Sequence, residues 1–231
     1  MIKAASLSVK YNSDAAALEN IGFSVSTGER VALIGANGAG KSTLLLSLIG
    51  ILPPAEGELM VCGIPVRKDT LGEVRRGAAL VFQNPDDQLF MPTLEEDIAF
   101  GPRNYGLTEE TIQIRIAAVL EELGISHLKK RLSHKLSGGE KRLAALAGVL
   151  VMEPSLLLLD EPSSFLDPRS RRGLISILGG LTQTMMIATH DLDLALSLCG
   201  RVILLRHGRI SADGPAKEIL SNKVLLEQNG L

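Results

Sequence analysis

A chain of 231 residues, 45% of them hydrophobic, has enough apolar material for a substantial core. Its 24 Lys plus Arg against 26 Asp plus Glu leave a net charge of −2, which gives no electrostatic reason to expect nucleic acid or an anionic membrane surface as a partner. The isolated Cys62 and Cys199 argue against a disulfide framework or a structural zinc and read as buried free thiols, and the longest apolar run, Leu143–Met152, is about half of what a membrane-spanning helix needs.

From the N-terminus, Ala4–Tyr11 and Ile21–Ser26 alternate in short pieces between turn signals at Asn12-Ser13-Asp14 and Thr27-Gly28, which predicts antiparallel β structure. No signal-peptide pattern precedes them, so export is not expected, and any work at a membrane would need another chain to hold this one there. Arg30–Ile34 reads as a buried strand, followed by a Gly-rich loop and a helix over Lys41–Leu52 that ends at Pro53-Pro54. A second β pair is expected at Gly57–Val61 and Ala78–Phe82. From about Asp86 to Met152 the spacing turns helical, as in Ile112, Ile116, Val119, Leu120 and Leu123, which predicts a helical subdomain over roughly 86–152 inserted into an α/β core. Strands return at Leu156–Leu159 and Met185–Ala188, separated by a helix near Arg169–Leu178 that ends at Gly179-Gly180. The chain closes with a hairpin, Val202–Leu205 with Arg209–Ala212 around His207-Gly208, and a short helix from Pro215. Without repeats or a linker, 1–231 reads as a single domain with subdomains.

The loop Gly35–Ser42, "GANGAGKS", matches G-x-x-x-x-G-K-[ST] at Gly35, Gly40, Lys41 and Ser42. Glycines let backbone N–H groups close round a phosphate, Lys41 reaches its β/γ oxygens, and Ser42 offers a hydroxyl to Mg²⁺. The helix starting at Lys41 points its positive end at the same group. A dinucleotide fingerprint needs G-x-G-x-x-G, a spacing that Gly35–Gly40 lacks.

Leu156-Leu-Leu-Leu-Asp160-Glu161 is an apolar strand ending in two acids, whose alternating directions separate their roles: Asp160 for the metal and Glu161 as general base. A solvated acidic turn is the structural alternative. His190 directly follows the strand "MMIAT", at the sheet edge where open α/β folds bind ligands, and can contact a γ-phosphate. His127, His134 and His207 have no such setting and read as surface residues. Gln83 ends the strand "ALVF" and can touch Mg²⁺ or the attacking water, or serve only as a turn residue. Tyr11, one of 2 tyrosines, is a candidate to stack on a base, with packing as the alternative.

Ser137 precedes a helical run through Leu143, Leu146, Ala147 and Leu150, and Glu140 stands three residues on, which fits a capping box. Capping leaves Gly138-Gly139 unexplained, because glycine in a first turn costs up to about 1 kcal/mol relative to alanine. Bare N–H groups open to a phosphate would offset that cost.

Together the phosphate loop, Gln83, "LSGGE" at Leu136–Glu140, "LLLLDEP" at Leu156–Pro162, "FLD" at Phe165–Asp167 and "ATHD" at Ala188–Asp191 resemble the motifs of an ATP-binding cassette (ABC) ATPase, over nearly the whole chain. The resemblance implies a P-loop NTPase with a RecA-like core, an N-terminal antiparallel β subdomain and an inserted α-helical subdomain. It implies ATP and Mg²⁺ as ligands, with ATP on Tyr11, Gly35, Asn37, Gly38, Ala39, Gly40, Lys41, Ser42 and Thr43. Catalysis would fall to Glu161, His190, Gln83 and Lys41, and the metal to Ser42, Gln83 and Asp160. It further implies a sandwich of two such domains, the second being another copy or a paralogue, in which Ser137, Gly138, Gly139 and Glu140 of one face the nucleotide of the other and Asp167 lies in the dimer-facing loop. Phe165 departs from the pattern, since related chains usually carry a smaller residue there.

Gln83–Phe90, "QNPDDQLF", and the "TLEEDIAFGPRNYGL" after it are similar to the ATPases of energy-coupling-factor (ECF) importers, and "ATHDLDLAL" at Ala188–Leu196 resembles their cobalt/nickel branch more than the vitamin branch. This implies a peripheral protein on the cytoplasmic face of the membrane, with a transmembrane coupling protein and substrate-binding membrane subunits as partners. DNA-repair and chromosome-organising ATPases place long coiled coils between the corresponding motifs, and the Gln83–Ser137 stretch has no sustained heptads. An assembly-scaffold ATPase, such as one serving iron–sulfur assembly, is the other alternative. Lys129, Lys130, Arg131, Lys135, Lys141 and Arg142 lack interleaved aromatics and read as a solvated face, not a nucleic-acid site.

Overall fold

A computed structural model describes residues 1–11 and 16–231. In chain order the elements are β1 (Ile2–Lys10), β2 (Ala16–Val25), β3 (Arg30–Ile34), α1 (Lys41–Leu48), β4 (Glu56–Val61), β5 (Ile64–Pro65), α2 (Leu71–Gly77), β6 (Ala78–Val81), α3 (Leu94–Asn104), α4 (Glu109–Glu122) and α5 (Gly138–Leu150). They continue with β7 (Leu156–Asp160), α6 (Pro168–Gly180), β8 (Thr184–Ala188), α7 (Leu192–Leu198), β9 (Arg201–Arg206), β10 (Arg209–Pro215), α8 (Ala216–Ser221) and α9 (Lys223–Gln228). The chain divides into two compact units: Met1–Leu80, Ser155–Glu161 and Leu181–Leu231 form one, Val81–Pro154 and Pro162–Gly180 the other.

The first unit holds an antiparallel sheet in the order β2-β1-β4-β5 and a larger sheet in the order β10-β9-β3-β8-β7-β6. Expected β structure at the N-terminus is present as β1 and β2, paired from Ile2↔Val25 onward; the Asn12-Ser13-Asp14 turn lies outside the described residues. Strands β3, β7, β8 and β9 run parallel where they meet, and Val31–Ile34, Leu156–Leu159 and Met185–Ala188 are buried. Apolar on both faces, such strands read as continuous runs. Their shared direction collects the residues after β3, β7 and β8 at one edge of the sheet.

The β pair expected at Gly57–Val61 and Ala78–Phe82 does not exist, because β4 and β6 belong to different sheets. Cys62 and Gly63 both take positive φ, 53° and 79°, which makes a tight turn and returns Ile64-Pro65 as the partner of β4. The helix expected over Lys41–Leu52 stops at Leu48. Gly50 sits at φ 65° and donates to Ser47 O at 3.0 Å while Ile51 N donates to Leu46 O at 2.9 Å, a Schellman ending that needs no proline. So short a helix is marginal alone and is held by burial of Leu44, Leu45 and Leu48. The hairpin at His207-Gly208 is as expected, whereas α2, α7 and α9 are additions to the expected elements.

In the second unit, α3 starts at a capping box between Thr93 and Glu96, and α4 buries Ile112, Ile116, Val119 and Leu120. Phe90 and Phe100 meet edge to face at 4.8 Å and remain 62% and 39% exposed. No helix among the described residues is long and apolar enough to cross a membrane.

Candidate active site

The Gly-rich loop leaves the carboxyl end of β3 and becomes α1 at Lys41. Gly40 caps that helix at φ 107°, and a Cβ there would meet the Leu18 side chain at 2.7 Å. At Gly35 a Cβ would meet Leu205 O at 2.4 Å, so only glycine lets the loop lie this close to β9. Gly208 N donates to Ala39 O at 3.0 Å from the β9–β10 turn. Sequence reasoning missed this brace, whose only local sign was the His207-Gly208 turn itself.

Lys41 is buried, with Nζ on Gly35 O at 2.7 Å and Ala36 O at 3.3 Å, and lies 3.9 Å from Glu161 Oε1. These are contacts that phosphate oxygens can replace. Ser42, beside it, is exposed. Tyr11 donates to or accepts from Thr43 Oγ1 at 3.1 Å and is 50% exposed, so its hydroxyl is anchored on α1 while the ring keeps open surface.

Asp160 ends β7 and Glu161 follows it, both buried. Glu161 has φ 45°, left-handed for a residue that has no intrinsic preference for it, and its N–H is pinned to Ala188 O at 2.8 Å. His190, at the end of β8, donates to Glu161 Oε2 through Nδ1 at 2.8 Å and through its backbone N–H at 3.3 Å. A carboxylate only accepts, so Nδ1 carries the proton. Lys41, Glu161 and His190, distant in sequence, thus form one contact chain, with the His190 side chain 64% exposed at its open end. Asp160 and Ser42 are hard oxygen donors of the kind Mg²⁺ takes, together with waters and phosphates.

The second unit carries the other motif. Ser137 caps α5, with its N–H donating to Glu140 Oε2 at 2.7 Å and Glu140 N donating to its hydroxyl at 3.4 Å. Gly138 is open all round, but a Cβ on Gly139 would come within 3.0 Å of Ser170 Oγ. Ser170 in turn donates to Asp167 Oδ2 at 2.5 Å, so glycine at 139 lets the start of α5 approach the Asp167 loop. Ser137, Gly139, Glu140, Asp167 and Ser170 line one cleft of about 660 Å³. The Ser170 hydroxyl holds the Asp167 carboxyl below its ordinary range. Phe165 projects beside it, 97% exposed at φ 63°, and exposed Gln83 lines an adjoining cleft in the same unit.

The Ser137 N–H likewise holds the Glu140 carboxyl below the usual carboxylate range. A depressed folded pKa stabilises above the unfolded value, about 4.3, and that stabilisation is lost as pH falls through the folded pKa. Acid titration of the thermal midpoint should therefore show a steeper loss below about pH 4.3 for the wild type than for Glu140→Gln, whose amide oxygen accepts at every pH. Equal slopes would remove Glu140 from the acid response.

Some expectations need correction. Arg142 is not part of a solvated basic face: it is 3% exposed, on the inner side of α5. Lys130, Arg131 and Lys135 are exposed as expected, while Lys141 pairs with Asp86 and Lys129 with Glu95. Cys62 is half-buried, because it stands in the tight turn after β4, whereas Cys199 is buried and its thiol is pushed up to about 12 by desolvation. His127, His134 and His207 are exposed as expected.

Residues 18–164 match the family model described as ABC transporter. The chain belongs to that family. This ABC ATPase is 52% identical over 227 residues to a putative ABC transporter ATP-binding protein of Gloeobacter violaceus, covering 97% of this chain and 93% of the relative. It is 45% identical over 236 residues to the energy-coupling factor transporter ATP-binding protein EcfA of Methanothermobacter thermautotrophicus, covering 100% and 76%. Among solved structures, cbiO1 from Clostridium perfringens, described as part of the ABC transporter complex cbiONQ, superposes with a TM-score of 0.87 at 36% identity over 98% of this chain and 93% of that one. A dimeric ATP-binding cassette, MJ0796, in a post-hydrolysis state with ADP and Pi, gives 0.84 at 25% identity over 94% and 99%. The ABC ATPase is thus an ATP-binding and ATP-hydrolysing subunit of the energy-coupling-factor type, with the α/β cassette fold that its motifs implied.

Proposed function

We propose that the chain powers uptake of cobalt or nickel ions from the cytoplasmic face of a membrane, through a transmembrane coupling protein and substrate-binding membrane subunits. The observation that carries the transporter reading is the likeness to cbiO1 over nearly the full chain, together with EcfA relatives; these names weigh against an assembly scaffold. The metal reading rests on the resemblance of Ala188–Leu196, with vitamin import as its rival. Among the described residues no group of His, Cys, Asp and Glu is placed to hold a metal ion, so in this reading the membrane subunits choose the cargo.

In the reaction we assign, ATP lies between the phosphate loop of one cassette and Ser137–Glu140 of a second copy or a paralogue, a reading supported by the similar cassette MJ0796 being dimeric and bound to ADP and Pi. Tyr11 stacks on the base and Gly35–Thr43 wrap the phosphates; Ser42 and Asp160 would hold Mg²⁺, with Gln83 as the further ligand that the resemblance implies, and the ion would supply positive charge against the phosphates. A γ-phosphate that draws Lys41 and His190 onto itself releases Glu161 from both, leaving its carboxylate to take the proton of the attacking water.

The coupling protein docks on the surface around Phe90, in the segment that follows Gln83, where the Phe90 ring and that of Phe100 stay open to solvent. Phe90→Asp should weaken assembly with the membrane subunits severalfold while the isolated protein keeps its basal ATPase. Normal assembly and normal uptake by the variant would rule this surface out. Uptake assays on the assembled complex with Co²⁺, Ni²⁺ and vitamins separate the cargoes: transport of a vitamin without either metal replaces the metal reading.

A further inference from the structure

Within the second unit, α5 is fastened to the segment that carries Gln83. Arg142 Nη1 donates to Phe82 O at 3.0 Å, Lys141 pairs with Asp86 at 2.5 Å, and Gln88 donates to Ala145 O at 2.8 Å while accepting from Phe82 N at 3.2 Å. The Phe82–Gln88 loop is thereby closed on itself and pinned along one side of the helix. Arg142 also reaches in a second direction: Nη2 donates to Ser164 O at 3.5 Å, at the root of the loop bearing Phe165 and Asp167.

Burying a guanidinium is costly, and at 3% exposure Arg142 has little water left to compensate. Its planar fork offers separate nitrogens held apart in fixed directions, and two of them reach carbonyls on two different segments, Nη1 to Phe82 O and Nη2 to Ser164 O. Neither carbonyl belongs to α5, so the bonds hold loops rather than the helix.

We propose that Arg142 is a positioning residue: it sets the Gln83 segment and the Asp167 loop in fixed register with the Ser137–Gly139 end of α5, so that all of them move as one body. The inference rests on the role proposed above for Gln83 and on the dimer-facing place that the resemblance implies for Asp167. A displacement of the Gln83 segment by a docked partner would then reach the Ser137 end without slack.

The test uses the full chain with Arg142→Met, which keeps the stem and removes the donors, and Arg142→Lys, which keeps one charged donor group. Amide hydrogen exchange is read for 83–88 and 164–167, alongside kcat and KM for ATP. In Arg142→Met, exchange should rise about tenfold in both segments, kcat should fall by about the same factor and KM should stay near wild type, since the phosphate loop is untouched. Arg142→Lys should recover protection at 83–88 and leave 164–167 loosened.

Unchanged protection in Arg142→Met, or a uniform rise across the whole chain, would overturn the proposal. Loosening of both segments with a wild-type kcat would uphold the tether and refute the catalytic role of Gln83 instead. If Arg142→Met fails to fold, Arg142→Lys decides: loosening confined to 164–167 supports the fork, and wild-type protection in both segments with wild-type kcat removes it.

Discussion

Glu161→Gln should leave ATP bound and slow its hydrolysis by about 10²–10⁴-fold, the usual range for losing a positioned base. Glutamine has the same shape, and its amide oxygen can still accept from His190 Nδ1, which the carboxylate receives at 2.8 Å. It cannot take a proton from water. Buried Glu161 sits at φ 45°, a left-handed conformation that breaks the extended course of β7, with its carboxylate in contact with Lys41 and His190. Equilibrium binding of ATP combined with single-turnover hydrolysis separates the two steps, and the variant with ATP should elute as a dimer, because closure occurs and the reaction that ends it does not. A wild-type rate in Glu161→Gln would refute the role assigned to this residue.

Mixing two inactive variants, Lys41→Ala and Ser137→Arg, should restore hydrolysis to about a quarter of the wild-type level if dimers of the chain form at random. In the sandwich proposed above, each composite site would take the phosphate loop from one copy and the Ser137 end of α5 from the other. In a mixed dimer one site inherits both lesions and the other inherits neither. Lys41→Ala removes the buried ammonium that spans Gly35 O, Ala36 O and Glu161, and Ser137→Arg removes the hydroxyl that caps α5 and places a bulky cation in the cleft shared with Asp167. Thermal unfolding of each variant alone checks that both remain folded. An inactive mixture shown to contain heterodimers would refute composite sites built from two copies of this chain and leave a paralogue as the partner.

How much of this was legible beforehand depends on the range of the interactions concerned. The Arg30–Ile34 strand, the capping box at Ser137 and Glu140, and the buried face of α4 were readable because each is decided by residues within a few positions of one another. Pro53-Pro54 is a helix stop that any local pattern shows, but α1 ends four residues before Leu52, at Leu48, because the left-handed backbone of Gly50 stops it first. The β4–β6 pairing failed because strand identity says little about strand partner, and a tight turn at Cys62-Gly63 had already supplied one.

By itself, the sequence determined the chemistry at each strand end: a phosphate loop after β3, acids after β7, a histidine after β8, and a capped helix start with bare glycines at Ser137. These are local patterns, and their spacing carries their meaning. Only the tertiary structure decided that Glu161 contacts both Lys41 and His190, that Gly139 faces Ser170, and that Arg142 is buried between the carbonyls of Phe82 and Ser164. The physical reason is that a cation on an amphipathic helix looks alike in sequence whether it meets water or a carbonyl. Which one it meets is set by chain segments that lie far away in sequence and come together only through packing.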